Sequence, residues 1–172
     1  HAAIYNWDGS GTSDASGLWS LGANWGPTDA PSGGPVSVDT ANLNNVTTGT
    51  RTVTYDSGAS GTVSFLNFTQ SSEGRINQLL INKSLSVTNA ITLGASAGTA
   101  LITVGSSSTA GFNLVPSGAI NLNTGGEIAL TATSNTNANG YFFGNITNNQ
   151  TLTIAGGTLR ISATTGDRED AA

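Results

Sequence analysis

The stretch "RTVTYDSGASGTVSFLNF", residues 51–68, contains two short segments in which apolar residues stand at alternate positions. In the first segment Val53 and Tyr55 alternate with threonines, and a run rich in Gly and Ser separates it from the second. Alternation at period two is typical of a half-buried β-strand, whereas an amphipathic helix repeats every 3.6 residues. The stretch therefore predicts two strands joined by a turn.

Similar segments recur along the chain as far as residue 162, at intervals of roughly 25 residues. Self-similarity at such a period indicates stacked coils, each contributing two or three short strands. We therefore predict an all-β fold, a short parallel β-solenoid (β-helix). A β-sandwich or jelly roll is the alternative, because it also has short strands and frequent turns. The first series of equivalent segments comprises residues 53–55, 79–81, 101–104, 128–130 and 152–154.

Residues 1–50 do not share this period, and all three tryptophans lie within residues 6–25. The end of a solenoid exposes both apolar core and unpaired strand edge, so it needs a plug. We predict that Trp7, Trp19 and Trp25 bury their rings over the first coil as an N-terminal cap. The alternative is that the rings form a platform for sugars. The predicted single domain, residues 1–172, thus comprises an irregular cap (1–50), solenoid strands (51–162) and a charged tail (163–172).

The composition excludes several classes of partner. Only 9% of residues are charged, and five Lys and Arg residues in total cannot neutralise a run of phosphates, so we expect no nucleic acid partner. No run of eighteen apolar residues occurs, so we expect no membrane insertion. The first residues, His-Ala-Ala, are typical of an end left by a signal peptidase. We therefore predict a secreted protein, extracellular or at the cell surface.

The N-terminal seventy residues carry a recognisable set of short motifs: Trp7-Asp8-Gly9, Trp19-Ser20, Asn24-Trp25, Pro31 and Asp39-Thr40-Ala41. This set resembles the N-terminal region of large exported proteins of the Verrucomicrobia and Planctomycetes type, the autotransporter-associated β-helix repeat proteins. The resemblance implies a secreted or surface-located structural β-helix. It implies no catalytic residue.

One metal site is suggested by spacing alone. Asp8, Ser10, Thr12 and Asp14 place oxygen-bearing side chains at alternate positions, as a calcium-binding loop does. The loop lacks the bidentate Glu of such sites, and its glycines are equally typical of a solvated turn. Calcium is therefore a weak candidate, and we predict no other cofactor.

Catalytic groups are sparse. Glycosidases need two carboxylates that face one sugar, yet Glu127 is the only charged residue between Ser84 and Leu159. The chain has no cysteine and a single histidine, which removes most nucleophile–base pairs. We predict that the protein is not an enzyme.

The two ends of the predicted solenoid differ, and this difference suggests assembly. Leu159 and Ile161 stand in the last predicted strand, and no plug is evident around them. Ile4 and Tyr5 stand in a weakly alternating segment that could lend a strand to a neighbour. We predict that copies join head to tail through β-edges into a filament or surface layer. The alternatives are a glycan-binding module for surface polysaccharide, with the tryptophans in its site, and the N-terminal fragment of a larger surface adhesin.

Overall fold

The computed structural model describes residues 1–12, 14–105, 111–134, 141–143, 145–146, 152–155 and 157–163. These residues form an all-β structure, with one short 3-10 helix, η1 (Gly22–Asn24). No helix in this part of the chain is long and apolar enough to cross a membrane. Apart from its first residue, the predicted tail (163–172) lies outside the described residues. The strands are β1 (Ile4–Trp7), β2 (Gly17–Leu18), β3 (Trp25–Gly26), β4 (Thr40–Leu43), β5 (Thr50–Tyr55), β6 (Thr62–Val63), β7 (Phe65–Gln70), β8 (Ile76–Ile81), β9 (Leu85–Val87), β10 (Ile91–Ala95), β11 (Thr99–Val104), β12 (Asn113–Pro116), β13 (Ile120–Asn123), β14 (Gly126–Ser134), β15 (Tyr141–Phe143), β16 (Asn145–Ile146), β17 (Leu152–Ala155) and β18 (Thr158–Ala163).

The strands form three sheets, which we name A, B and C. Sheet A has the order β3-β1-β4-β7-β10-β13-β17, and sheet C has the order β6-β9-β12-β16. Sheet B has the order β2-β5-β8-β11-β14-β15, with β18 also paired to β14. Pairing is parallel except between β1 and β3 and between β14 and β15. The predicted parallel β-solenoid is confirmed, and the sandwich alternative is wrong because sandwiches are built from antiparallel sheets.

Each complete coil of the solenoid contributes one strand to each of the three sheets in turn. Three consecutive coils, β4–β6, β7–β9 and β10–β12, contribute one strand to sheet A, then to sheet B, then to sheet C. Each strand therefore lies beside the equivalent strand of the previous coil and runs in the same direction. This return to the same sheet is what makes the ladders parallel.

The core consists of columns of apolar side chains, stacked in register at the inward positions of each strand. In sheet B, Val53, Leu79, Ile102 and Ile128 are paired rung by rung, and all four are fully buried. Full burial of one such side chain contributes about 1.5–3 kcal/mol. Because side chains alternate between the two faces, a slip of one residue would turn a whole strand's apolar set toward solvent. The corresponding column of sheet A comprises Leu43, Phe68, Leu93 and Leu122.

The first predicted series of equivalent segments is right for four of its five members, which lie in β5, β8, β11 and β14 of sheet B. Residues 152–154 do not continue it, since they lie in β17 of sheet A, and β18 takes the place beside β14. The cause is an insertion that carries β15. Glu127 pairs with Thr158, a spacing of 158 − 127 = 31 residues, whereas Thr50 pairs with Ile76, a spacing of 76 − 50 = 26.

Residues 1–50, predicted to be an irregular cap, contribute strands to the same ladders. Tyr5 of β1 pairs with Ala41 of β4, and Leu18 of β2 pairs with Thr54 of β5, all in parallel register. The spacing from Tyr5 to Ala41 is 41 − 5 = 36 residues, which is well beyond the repeat of the later coils. The strands are short and the spacing is irregular, so the sequence pattern does not separate them from loops.

Candidate functional site

The three tryptophans form one buried aromatic cluster with Tyr55. The rings of Trp7 and Trp25 meet edge to face with centroids 5.2 Å apart, and those of Trp25 and Trp19 are 4.6 Å apart. Trp19 in turn lies 5.1 Å from Tyr55 of the first complete coil. All four side chains are buried. The predicted tryptophan cap is confirmed, and its rings continue the core rather than stand on the surface.

Hydrogen bonds hold two of the indoles in place. Trp7 Nε1 donates to the Ala15 carbonyl at 2.9 Å, and Trp25 Nε1 donates to the Trp19 carbonyl at 2.9 Å. Trp19 Nε1 is buried without a hydrogen-bond partner in the described part of the chain. No indole presents a ring face to solvent, so the interpretation of the tryptophans as a sugar platform does not hold.

The edges of the cap are short. β2 and β3, the outermost strands of sheets B and A at this end, have two residues each. Pro27 follows β3 directly and has no backbone N–H with which to extend the pairing along β1. Short strands and prolines are common means of blunting a sheet edge. The N-terminal end of the solenoid therefore has a closed apolar core, and its terminal strands β2 and β3 offer only short edges for pairing.

The four calcium candidates do not converge on one point. The Asp8 carboxylate accepts the N–H of Ser10 at 3.0 Å, and Ser10 Oγ contacts Asn24 Oδ1 at 2.8 Å. Asp14 faces a different segment, described below, and Thr12 is exposed, with its carbonyl accepting from the backbone of Ala15. Within the described residues, no group of three or more His, Asp or Glu side chains could hold a metal ion. The two carboxylates serve as separate hydrogen-bond acceptors.

Asp14 clamps the cap to the connection between β4 and β5. Its carboxylate accepts the backbone N–H groups of Thr47 and Thr48, at 3.0 and 2.9 Å, and both threonine hydroxyls, at 2.5 and 2.9 Å. The Thr47 hydroxyl is the largest of the influences that lower the pKa of Asp14 to about 2. Ionised Asp14 is therefore the form that stabilises the fold.

Two further aspartates accept hydrogen bonds from distant segments in the same way, and the sequence alone did not identify them. Asp39 accepts the N–H of Ala3 at 2.9 Å and the N–H of Val36 at 2.9 Å. Asp56 accepts the N–H and hydroxyl of Ser20 at 3.1 and 2.7 Å. Burial raises the pKa of Asp56, but the hydrogen bonds from Ser20 outweigh it and leave that pKa below its ordinary value. Asp14, Asp39 and Asp56 together fasten residues 1–20 to the later chain.

A buried polar corner joins sheets A and B. Arg51 is fully buried, and its Nη2 donates to the carbonyl of Asn44 and to Asn77 Oδ1, the latter at 2.7 Å. Asn77 Nδ2 donates in turn to the Leu43 carbonyl at 2.7 Å. Burial lowers the pKa of Arg51 to about 10, against the attraction of the Asp14 charge, so the guanidinium stays protonated at neutral pH. Gln70 completes the corner by pairing with both backbone groups of Val46 at 2.9 Å.

The opposite end of the solenoid exposes apolar side chains. Ile154 of β17 is 49% exposed and Leu159 of β18 is 39% exposed. β17 pairs with β13 and β18 with β14, and no strand among the described residues lies on their other side. The backbone of Ile161 lies in β18, and its side chain is outside the described residues. We name β17 and β18 the C-terminal rung.

The predicted donor segment is already part of sheet A. β1 pairs with β4 on one side, and Asn6 and Trp7 pair with β3 on the other. Ile4 is 62% exposed and Tyr5 packs against the core. Since Trp7 belongs to the buried cluster, lending β1 to another copy would open the cap.

No family model, curated protein or solved structure matches this chain. The resemblance to autotransporter-associated β-helix repeat proteins therefore stays a prediction. Among the described residues, the candidate functional surfaces are the apolar C-terminal rung and the outer faces of the three sheets. The polar contacts described above connect segments of backbone.

Substitution of Gly34 tests whether the cap is tightly packed on Trp19. Gly34 has φ +79°, and a Cβ there would lie 2.6 Å from Trp19 Cδ1 and 2.7 Å from Nε1. Gly49 is the matched control, because it has φ +63° with nothing within 4 Å of its added Cβ. Both alanine variants should lower the free energy of unfolding by about 1–2 kcal/mol, because both place a side chain at positive φ. Gly34→Ala should lower it by about 1–3 kcal/mol more, because its methyl group overlaps Trp19. Denaturant unfolding measures both values, and equal values for the two variants would contradict this packing.

The Asp14 clamp predicts a stability difference that depends on pH. Asp14→Asn should lower the free energy of unfolding by about 1 kcal/mol at pH 7, because solvent weakens the hydrogen bonds of this exposed carboxylate. Because the pKa of Asp14 is lowered to about 2, the difference should be fully present above pH 4 and should shrink as the pH falls through 2. Urea unfolding at several pH values measures it. Exposed Asp29→Asn is the control, and a pH-independent loss at Asp14 would argue against the clamp.

Proposed function

We propose that this chain is a secreted, extracellular structural protein that self-assembles through its C-terminal rung, as a subunit of a filament or surface layer. The observation that carries the proposal is the contrast between the two ends. The N-terminal end is closed by the tryptophan cluster, whereas the C-terminal rung exposes Ile154 and Leu159. Secretion rests on the resemblance of residues 1–70 to exported β-helix proteins.

The C-terminal rung has the two properties that favour β-pairing between chains. Its strands have backbone N–H and C=O groups on a side where the described residues place no partner, and its exposed side chains are apolar. A second chain that pairs there gains ladder hydrogen bonds and buries apolar surface at the same time. Such a contact would continue the same stacking that holds successive coils together.

The cap end offers a matching surface on the next copy. β2 is the terminal strand of sheet B at that end, and Leu18 of β2 and the nearby Leu21 are both exposed. β18 is a terminal strand of the same sheet at the other end, as is β15, so a head-to-tail contact through β18 would extend sheet B from one copy into the next. A contact between two different surfaces does not close on itself, and it therefore generates a filament.

A charge placed on the C-terminal rung should block this assembly. Ile154→Lys should abolish concentration-dependent association, because a lysine at a strand edge must lose water before the edge can pair. Val38→Lys is the matched control, since Val38 is similarly exposed but lies in the loop before β4. Size-exclusion chromatography with light scattering, together with negative-stain electron microscopy over a range of concentrations, measures association.

Fibres formed by the wild-type chain and by Val38→Lys, and lost in Ile154→Lys, would support the proposal. A wild-type chain that stays monomeric at every concentration would overturn it. That result would favour the alternative that these residues form the first coils of a longer adhesin, in which the next coil of the same chain pairs with the C-terminal rung.

A further inference from the structure

The outer face of sheet A carries a column of amide and hydroxyl side chains. Its members stand at equivalent positions of successive strands, paired rung by rung, and each is half-buried. Adjacent strands lie about 4.8 Å apart, so the column repeats at that interval along the solenoid axis. We name this set the amide column; it comprises Asn6, Asn42, Asn67, Thr92 and Asn121.

Hydrogen bonds between neighbouring rungs fix the orientation of the amides. Asn42 Nδ2 donates to Asn6 Oδ1 at 3.0 Å, and Asn67 Nδ2 donates to Asn42 Oδ1 at 3.1 Å. A primary amide has two N–H donors and two acceptor lone pairs. Asn6 Oδ1 also accepts from Asn44 Nδ2 at 3.1 Å. Asn42 and Asn67 each use one N–H donor along the column, so the second N–H of each of these amides is left for a ligand.

Two exposed apolar side chains lie beside the amide column on the same face. Phe65 stands two residues before Asn67, and Ile4 stands two residues before Asn6. Thr40 lies between them in register, paired to Ile4 on one side and to Phe65 on the other. Phe65 is 40% exposed and Ile4 is 62% exposed. The face thus places two exposed apolar side chains, two rungs apart, next to oriented amides.

The face carries no charge. None of the seven strands of sheet A contains Asp, Glu, Lys, Arg or His, whereas the strands of sheet B contain Arg51, Glu127 and Arg160. A nucleic acid or an acidic polymer would find no cation there to neutralise it. A folded protein partner commonly buries about 800 Å² per side around an apolar centre, and the two exposed apolar side chains do not supply that.

We propose that the outer face of sheet A binds a neutral polysaccharide chain that runs along the solenoid axis. The C–H faces of the sugar rings pack on Phe65 and Ile4, and the hydroxyls of the same rings hydrogen-bond the amides of Asn6, Asn42 and Asn67. The strand spacing is close to the length of one extended pyranose unit, so successive sugars meet successive rungs. The site is distinct from the buried tryptophans and does not depend on the assembly proposed above.

Binding to insoluble cellulose and chitin, and retardation by soluble xylan and mixed-linkage β-glucan in affinity gels, tests the site. Phe65→Ala should weaken binding about tenfold or more, because it removes the ring on which a sugar packs. Asn42→Ala should weaken it too, since it removes the central amide of the column. Phe65→Tyr should retain binding. Leu80→Ala is the matched control, because Leu80 is half-buried on the outer face of sheet B and not on sheet A.

Thermal unfolding of each variant separates lost binding from lost folding. Retention of the wild-type midpoint by Phe65→Ala, together with loss of binding, supports the site. Absence of wild-type binding to all four polysaccharides overturns it. Binding that Phe65→Ala and Leu80→Ala alter equally overturns it as well, since the ligand would then lie elsewhere.

Discussion

The structure depends on how the open ends of a stacked apolar core are closed. In a parallel solenoid the sheets cover the sides of the core, but the first coil leaves apolar side chains and backbone groups without a neighbour. Here the rings of Trp7, Trp25 and Trp19 lie over the first complete coil and reach Tyr55 within it. An aromatic ring covers a large apolar area with few rotatable bonds, so three of them make an effective lid.

Closure by tryptophans constrains where function can lie. A lid works only if its rings are buried, and buried rings cannot bind a sugar. The lid must also be held down, which explains why Asp14, Asp39 and Asp56 accept hydrogen bonds across long stretches of chain. The surfaces that we propose for binding and assembly are therefore the outer face of sheet A, the C-terminal rung and the exposed edge of β2.

The fold was largely predictable from the sequence, because segments of alternating apolar residues that recur roughly every 25 residues are typical of stacked coils. The burial of the tryptophans as a cap was also predictable, because the end of a stacked core exposes apolar side chains that must be covered. The exact coil assignments failed where an insertion carrying β15 lengthened one coil. Buried polar side chains were missed for a different reason: Arg51 and Asn77 occupy inward positions of otherwise ordinary strands, and their hydrogen-bond partners are distant in sequence. The amide column was also missed, since only the register aligns its members.

The burial of the tryptophans is the most direct test of this account, and acrylamide quenching of tryptophan emission measures it. The folded protein should show a blue-shifted emission that acrylamide barely quenches. Neutral polysaccharide should leave the emission unchanged, because the binding face proposed on sheet A contains no exposed indole. A red-shifted, readily quenched emission that shifts when sugar is added would show that the rings face solvent, and it would contradict the cap.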